Sequence, residues 1–251
     1  MYKKEYTLAK EAAIQAGNYL KSLNNAIVDS QDGRDIKLEA DRKSEKILID
    51  ILHTSNIPIL SEERGNVGTH KDERKWIIDP LDGTANFWKG IRDLACVSVA
   101  LWVNDVPVLG VINRFQQEEI YSGIVGAGAW INDYPLSTSG AEHVNEAVLA
   151  TGFPVKRNYE TDSLGKFIKR VQSFKKIRMF GSAAIMGAYV AAGKIDAYIE
   201  EQIMLWDIAA SSAIVKAAGG AAEIQLLGND QCICRLFANE KLRRSYYADC
   251  V

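Results

Sequence analysis

Apolar residues at Leu8, Ala12, Ala13, Ala16, Leu20 and Leu23 recur at helical spacing and predict an amphipathic helix close to the first residue. The set Ile47, Leu48, Ile51 and Leu52 predicts a second helix. Between them Asp29-Ser-Gln-Asp-Gly-Arg-Asp35 has no apolar period and carries an Asp-Gly turn signal, so it reads as an exposed mobile loop. Short apolar runs at 57–60 and 76–78 each lead into acidic residues, and longer strand-like runs follow at 94–103, 106–113 and 119–124. The turn Val103-Asn-Asp-Val106 predicts a hairpin, so the first part of the chain reads as an antiparallel sheet faced by two helices.

The pattern then changes. Residues 164–174 and 182–192 read as helices, 195–199 as a strand, 206–218 as a helix closed by Gly219-Gly220, and 221–226 as another strand. This alternation predicts an α/β second half, with a seam near 136–148. The expected organisation is a half at 1–140 carrying the antiparallel sheet and the acidic motifs, and a half at 141–251 that completes the site. Neither internal repeats nor low-complexity tracts interrupt it.

Composition narrows the functional classes. Thirty Lys and Arg against 32 Asp and Glu give a formal net charge of −2, so no global basic field draws nucleic acid or an anionic membrane, and neither is expected as a partner. No apolar run is long enough to span a bilayer, and the first residues lack a signal-peptide core, which predicts a cytoplasmic protein. The four cysteines, Cys96, Cys232, Cys234 and Cys250, show no C-x-x-C pair and read as buried free thiols. The three histidines are isolated, so a histidine metal site or a Ser-His-Asp triad has little to build on.

The chemistry-bearing string is Trp76-Ile-Ile-Asp-Pro-Leu-Asp-Gly-Thr-Ala-Asn-Phe87. Pro80 fixes φ and is expected to turn the strand end, so that Asp79 and Asp82 point into one cavity as a hard-cation site. Asp82 reads as an N-cap of a short helix whose free amides, at Gly83 and Thr84, face the same cavity and suit phosphate. A second acidic pair, Ser61-Glu62-Glu63, ends the run at 57–60, where a neighbouring strand sets it beside Asp79. A third candidate is Asp207, in Leu205-Trp206-Asp207-Ile208, at a helix start. Taken singly, these residues read as a capped turn, a surface Glu pair and a helix-start acid. Together, Glu62, Asp79, Asp82 and Asp207 would repel one another unless divalent cations occupied the cluster; all-oxygen ligands favour Mg²⁺, with Mn²⁺ or Ca²⁺ as competitors. Cations beside phosphate-binding amides point to phosphoryl transfer to water.

These strings, together with Gly181-Ser182-Ala183, Asp196-Ala-Tyr-Ile-Glu200 and Trp206-Asp207 followed by Ala217-Ala-Gly-Gly220, resemble the inositol monophosphatase family of Mg²⁺-dependent, lithium-sensitive phosphatases, over nearly the whole chain. The resemblance implies an α+β fold, a layered αβαβα sandwich, and a homodimer acting on a small-molecule phosphate ester. It implies one Mg²⁺ on Glu62, Asp79 and the main-chain carbonyl of Leu81, a second on Asp79, Asp82 and Asp207, and a third sharing Glu62. It makes Thr84 and Asp41 the pair that orients and deprotonates the attacking water, with Glu62 among the catalytic groups. Gly83 and Thr84 amides hold the phosphate, while Gly181, Ser182, Ala183, Glu200 and Asp207 meet the substrate; Arg178 and Thr151-Gly-Phe-Pro154 resemble bacterial members. The segment 29–37 matches a lid, with Arg34 or Lys37 approaching the third metal.

Two departures bear on the substrate. Ile91-Arg92-Asp93 replaces an aromatic-Pro-aromatic segment and sets an ion-pair-capable step at the pocket rim. Asn86-Phe87 differs from the Lys-Glu-Phe of nucleotide-bisphosphate phosphatases and favours the sugar and polyol branch, ahead of bisphosphate nucleotidase, fructose bisphosphatase or histidinol-phosphate phosphatase activity. The stretch after Ala238-Asn239 is short, and a truncated final helix is expected. Two rivals stand outside the family: a haloacid-dehalogenase phosphatase, whose Asp-x-Asp-Gly-Thr motif is one residue shorter, and a non-catalytic metal-binding protein, which would need neither Thr84 nor Asp41.

Overall fold

In the computed structural model, which describes all residues but 1, 25–26, 33–34, 69–71, 154–157 and 251, and no side chains within 31–37, the first helix, α1 (Lys3–Ser22), buries Ala9, Ala12, Ala13, Ala16 and Leu20 as one stripe. Two strands follow, β1 (Val28–Asp32) and β2 (Asp35–Leu38), then α2 (Glu39–Leu52). Here the expected mobile loop is corrected: β1 and β2 pair antiparallel, Ser30 with Lys37 and Asp32 with Asp35. The sequence hides this ribbon because its ladder is made by backbone bonds, which leave no apolar period to read. Arg34 lies outside the described residues, as does the side chain of Lys37, so the lid contacts expected of them are not described.

Next come β3 (Ile59–Ser61), β4 (Gly65–Val67), β5 (Arg74–Asp82), α3 (Thr84–Trp88), β6 (Cys96–Val103), β7 (Val106–Arg114), β8 (Glu119–Ile124), β9 (Gly128–Ile131) and β10 (Tyr134–Pro135). They form an eight-stranded sheet in the order β10-β9-β8-β7-β6-β5-β3-β4, antiparallel except where β3 runs parallel to β5. Asn104 and Asp105, both at positive φ, make the predicted two-residue hairpin between β6 and β7. The remaining elements are β11 (Val148–Ala150), α4 (Thr161–Ser173), β12 (Lys176–Arg178), α5 (Ala183–Ala191), β13 (Ala197–Met204), α6 (Leu205–Ala217), β14 (Ala221–Gly228), β15 (Gln231–Phe237) and α7 (Glu240–Cys250). Their five-stranded sheet, ordered β12-β11-β13-β15-β14, is parallel on one side and antiparallel on the other. The purely α/β expectation is corrected by β15, which a second Asn-Asp turn at Asn229 and Asp230 folds back on β14.

The central strands β5, β6 and β7 are buried on both faces, which is why they read as near-continuous apolar runs. Trp76 and Ile78 of β5 join α1 and α2 in one core, while Ile77 turns the other way to meet α5 and α6. In β13, Tyr198 faces α5 and α6 whereas Ala197 and Ile199 face Phe174, Leu242 and Tyr246 beside α4 and α7. The layers are therefore α1/α2, the large sheet, α5/α6, the smaller sheet and α4/α7: an α+β fold in an αβαβα sandwich. Helix α6 can lie hard against β7 because a Cβ on Gly110 would come within 2.2 Å of the Ala210 carbonyl oxygen. No helix among the described residues is long and apolar enough to cross a membrane. The cysteines are free, and Cys96, Cys232 and Cys234 are buried.

Candidate active site

Side chains alternate across a strand, so Leu60 and Ile77, which face the α5/α6 layer, set Glu62 and Asp79 toward that layer two residues further along each chain. The parallel pairing of Ser61 with Ile78, continued by Glu62 N–H donating to the Ile78 carbonyl, puts these two acids side by side. Asp82 lies three residues past Asp79 and would face away in a regular strand. A bulge corrects this. Asp79 pairs with Ser98 and Asp82 with Cys96, so β5 spends three steps where β6 spends two, and both carboxylates reach the same face. The expected turn at the strand end is thus a bulge within β5, where Pro80 costs no ladder bond. Ser44 of α2 donates to the Pro80 carbonyl at 2.7 Å and fastens the bulge from behind.

Gly83, at φ 86°, is the N-cap of α3, which corrects the assignment of Asp82 to that role. Any Cβ at Gly83 would also lie 2.5 Å from the Leu94 carbonyl oxygen. Asp82 instead reaches the start of α5: its Oδ2 accepts from Ser182 Oγ and from Ala184 N at 2.8 Å, with Cys96 Sγ 3.7 Å away. Ser182 caps α5 as well, accepting from Ile185 N at 3.3 Å. Asp207 sits in the first turn of α6, where its Oδ2 accepts from Met204 N at 3.2 Å. Asp41 holds the matching place in α2, accepting from Leu38 N at 2.5 Å. Its other oxygen lies 3.3 Å from Thr84 Oγ1, which also lies 2.8 Å from the Leu81 carbonyl oxygen.

Four carboxylates gathered this way repel one another. Burial, then Glu62, Asp82 and Asp207, push the Asp79 carboxyl well above its ordinary range. Burial followed by Glu62, Asp82 and Glu200 does the same to Asp207, against one backbone donor. Asp82 is raised by burial, while bonds from Ser182, Ala184 and Cys96 pull the other way. This is an all-oxygen donor set whose acids raise one another, chemistry that fits a hard divalent cation. The set is open: no three His, Cys, Asp or Glu side chains among the described residues are already gathered as a closed cage. Glu62, Asp79, Asp82, Asp207 and the Leu81 carbonyl would have to draw together around an ion.

Of the expected substrate contacts, Gly181, Ser182 and Ala183 form the turn into α5, tied to α3 by Asn86 Nδ2, which lies 2.8 Å from the Phe180 carbonyl oxygen and 3.2 Å from that of Gly181. Glu200 is buried on β13, accepts from Tyr198 OH at 2.9 Å, and lies close enough to Asp207 to feel its charge. Arg178 is different: it stands exposed on the edge strand β12 and donates to the Ile177 carbonyl. Pro154 lies outside the described residues. The expected rim step is corrected too, since Arg92 stacks on Phe87 and bonds the carbonyls of Leu23 and Asn24, and Asp93 takes a bond from Gln117. Sequence reasoning missed Ser44, Glu45 and Tyr198. Ser44 and Glu45 carried a signal, being polar on the core-facing side of α2; Glu45 accepts from Ser61 Oγ and from Arg64 N, steadying the turn that bears Glu62.

A model described as the inositol monophosphatase family matches residues 1–223. Nus factor SuhB of Salmonella typhimurium is 36% identical over 222 residues, covering 85% of this chain and 82% of that one. Inositol-1-monophosphatase of Synechocystis sp. is 35% identical over 219 residues, covering 85% and 76%. Among solved structures, inositol monophosphatase from Anabaena (Nostoc) sp. aligns with a TM-score of 0.84 at 30% identity, over 98% of this chain and 95% of that one. With the family match taking in the whole of the larger sheet and Glu62, Asp79, Asp82 and Asp207, the chain belongs to the inositol monophosphatase family.

Proposed function

We propose that this member is a Mg²⁺-dependent phosphomonoesterase that hydrolyses an inositol monophosphate or a related sugar or polyol phosphate by attack of water, acting as a cytoplasmic homodimer. The observation that carries the reading is the buried Asp79 carboxyl raised by the charges of Glu62, Asp82 and Asp207 around it, with Thr84 and Asp41 bonded to each other. Glu62, Asp79, Asp82, Asp207 and the Leu81 carbonyl would hold two or three Mg²⁺, Mn²⁺ being the alternative. Bound there, a divalent cation lowers the pKa of water and neutralises charge on the leaving oxygen.

The protein's own part is orientation. Thr84 has one hydroxyl proton and two acceptors, the Leu81 carbonyl and Asp41 Oδ1. A cation held by the Leu81 carbonyl would favour Asp41 as the acceptor of that proton, which would leave a lone pair of Thr84 Oγ1 to orient the attacking water. Asp41 is itself locked by the Leu38 amide, so the pair is pre-set rather than assembled on binding. Gly83 and Thr84 amides face the phosphate, and Glu200 with the turn at Gly181, Ser182 and Ala183 meets the substrate hydroxyls. The two halves, 1–140 and 141–251, each contribute ligands, so neither hydrolyses alone.

Relatives named Nus factor SuhB and inositol-1-monophosphatase match at nearly equal identity, so the relatives' names do not select a substrate. The test is phosphate release from inositol 1-phosphate, fructose 1,6-bisphosphate, histidinol phosphate and 3′-phosphoadenosine 5′-phosphate in Mg²⁺, with and without lithium. Lithium-inhibited turnover concentrated on inositol 1-phosphate is expected; preference for the nucleotide, or inert esters throughout, would overturn the polyol reading.

A further inference from the structure

Glu200 is a buried carboxylate held from two directions, and neither hold belongs to the hydrolytic machinery. Tyr198 precedes it by two residues on β13, so both side chains leave the strand on the face that meets α5 and α6. There the Tyr198 hydroxyl donates to Glu200 Oε2 at 2.9 Å, with Tyr198 fully buried and Glu200 only 4% exposed. Burial and the charge of Glu200 push the Tyr198 phenol far up, so it remains a donor at every working pH. On the other side, Thr151 donates through Oγ1 to the Ile199 carbonyl at 2.7 Å and through its amide to the Arg178 carbonyl at 3.1 Å. These bonds bring the Gly152 backbone over the carboxylate. A Cβ on Gly152 would stand 3.0 Å from Oε1, 3.1 Å from Oε2 and 3.3 Å from Cδ of Glu200, so only glycine leaves the carboxylate where it is.

We infer that Tyr198 and Gly152 are specificity-determining positioning residues, which fix the plane of the Glu200 carboxylate so that the site selects phosphate esters carrying hydroxyls beside the phosphate. The inference rests on the proposed role of Glu200 toward substrate hydroxyls. A carboxylate free to rotate about its last torsion presents its lone pairs to such a hydroxyl for only part of the time, whereas one locked by a donor and a backbone wall presents them continuously. An ester with no hydroxyls draws nothing from that order.

The test compares inositol 1-phosphate with phenyl phosphate on the full chain in Mg²⁺, for wild type, Tyr198→Phe and Gly152→Ala. The ratio of kcat/KM for the polyol ester over the aryl ester is expected to fall about tenfold in both variants, through KM for inositol 1-phosphate. Gly152→Ala reaches Glu200 from the opposite side and carries the test if Tyr198→Phe fails to fold. Equal losses on both esters would mean a merely structural role and would overturn the inference, as would an unchanged ratio. Wild-type enzyme that cleaves phenyl phosphate but does not favour inositol 1-phosphate would instead remove the reading of Glu200 itself, and this inference with it.

Discussion

Replacing Asp79 by Asn is expected to lower phosphate release by about 10³-fold or more while raising the melting temperature of the metal-free protein. Asp79 is the acid shared by both expected ions, so its loss weakens every contact that depends on a bound cation, an effect of several kcal/mol at about 1.4 kcal/mol per tenfold. Asn is nearly the same shape, and its oxygen can still accept from Leu81 N, which now bonds Asp79 Oδ1 at 3.0 Å. The gain in stability follows from linkage. Burial and three neighbouring acids raise the Asp79 carboxyl in the fold, whereas the unfolded chain ionises it near pH 4. Above that pH the native state binds more protons than the unfolded one, so the metal-free fold loses stability as pH rises through the elevated native pKa. Asn carries no such penalty. Thermal unfolding in EDTA should therefore show a larger gain for Asp79→Asn at pH 8 than at pH 5, and a lower melting temperature than wild type at pH 8 would count against a repelling cluster.

Thr84→Ala is expected to lower kcat about 10²-fold, with KM for the ester little changed, since the role proposed for the hydroxyl is toward the water rather than the substrate. Asp41→Asn should give a loss of similar size. If the two act as one unit, the double variant falls little further than either single one, and steady-state kinetics on all three variants measures that coupling. Additive losses would separate Asp41 from Thr84. The Thr84 hydroxyl also bonds the Leu81 carbonyl at 2.8 Å, so a stability cost of about 1 kcal/mol should accompany the kinetic effect.

Much of this site was legible in the sequence because its acids sit at the ends of apolar runs, where a strand or helix must stop and point them somewhere. Glu62 and Asp79 follow that rule closely. What the sequence could not settle was direction. Pro80 announces an irregularity, yet only the register of β5 against β6 tells a strand-ending turn from a bulge that brings Asp82 back to the face of Asp79. Asp82, with Gly83-Thr84 after it, fits an N-cap by local chemistry; its partners lie a hundred residues away, at the start of α5. The β1–β2 ribbon escaped notice because a polar ladder has no hydrophobic period. The strand β15 was missed although Asn229-Asp230 repeats the turn chemistry recognised at Asn104-Asp105. Arg92 shows the reverse error: a charge beside the site sequence looked available to a substrate, and the fold spends it on the backbone where α1 ends.

On the reading proposed, the acidic cluster hydrolyses a phosphomonoester only when it carries divalent cations. The direct measurement is phosphate release from inositol 1-phosphate by one sample of the full chain, first in Mg²⁺, then in excess EDTA, then with Mg²⁺ restored. Turnover is expected to stop on chelation and to return with the metal. Turnover that survives EDTA, or a chain that stays inert in Mg²⁺, would contradict that reading.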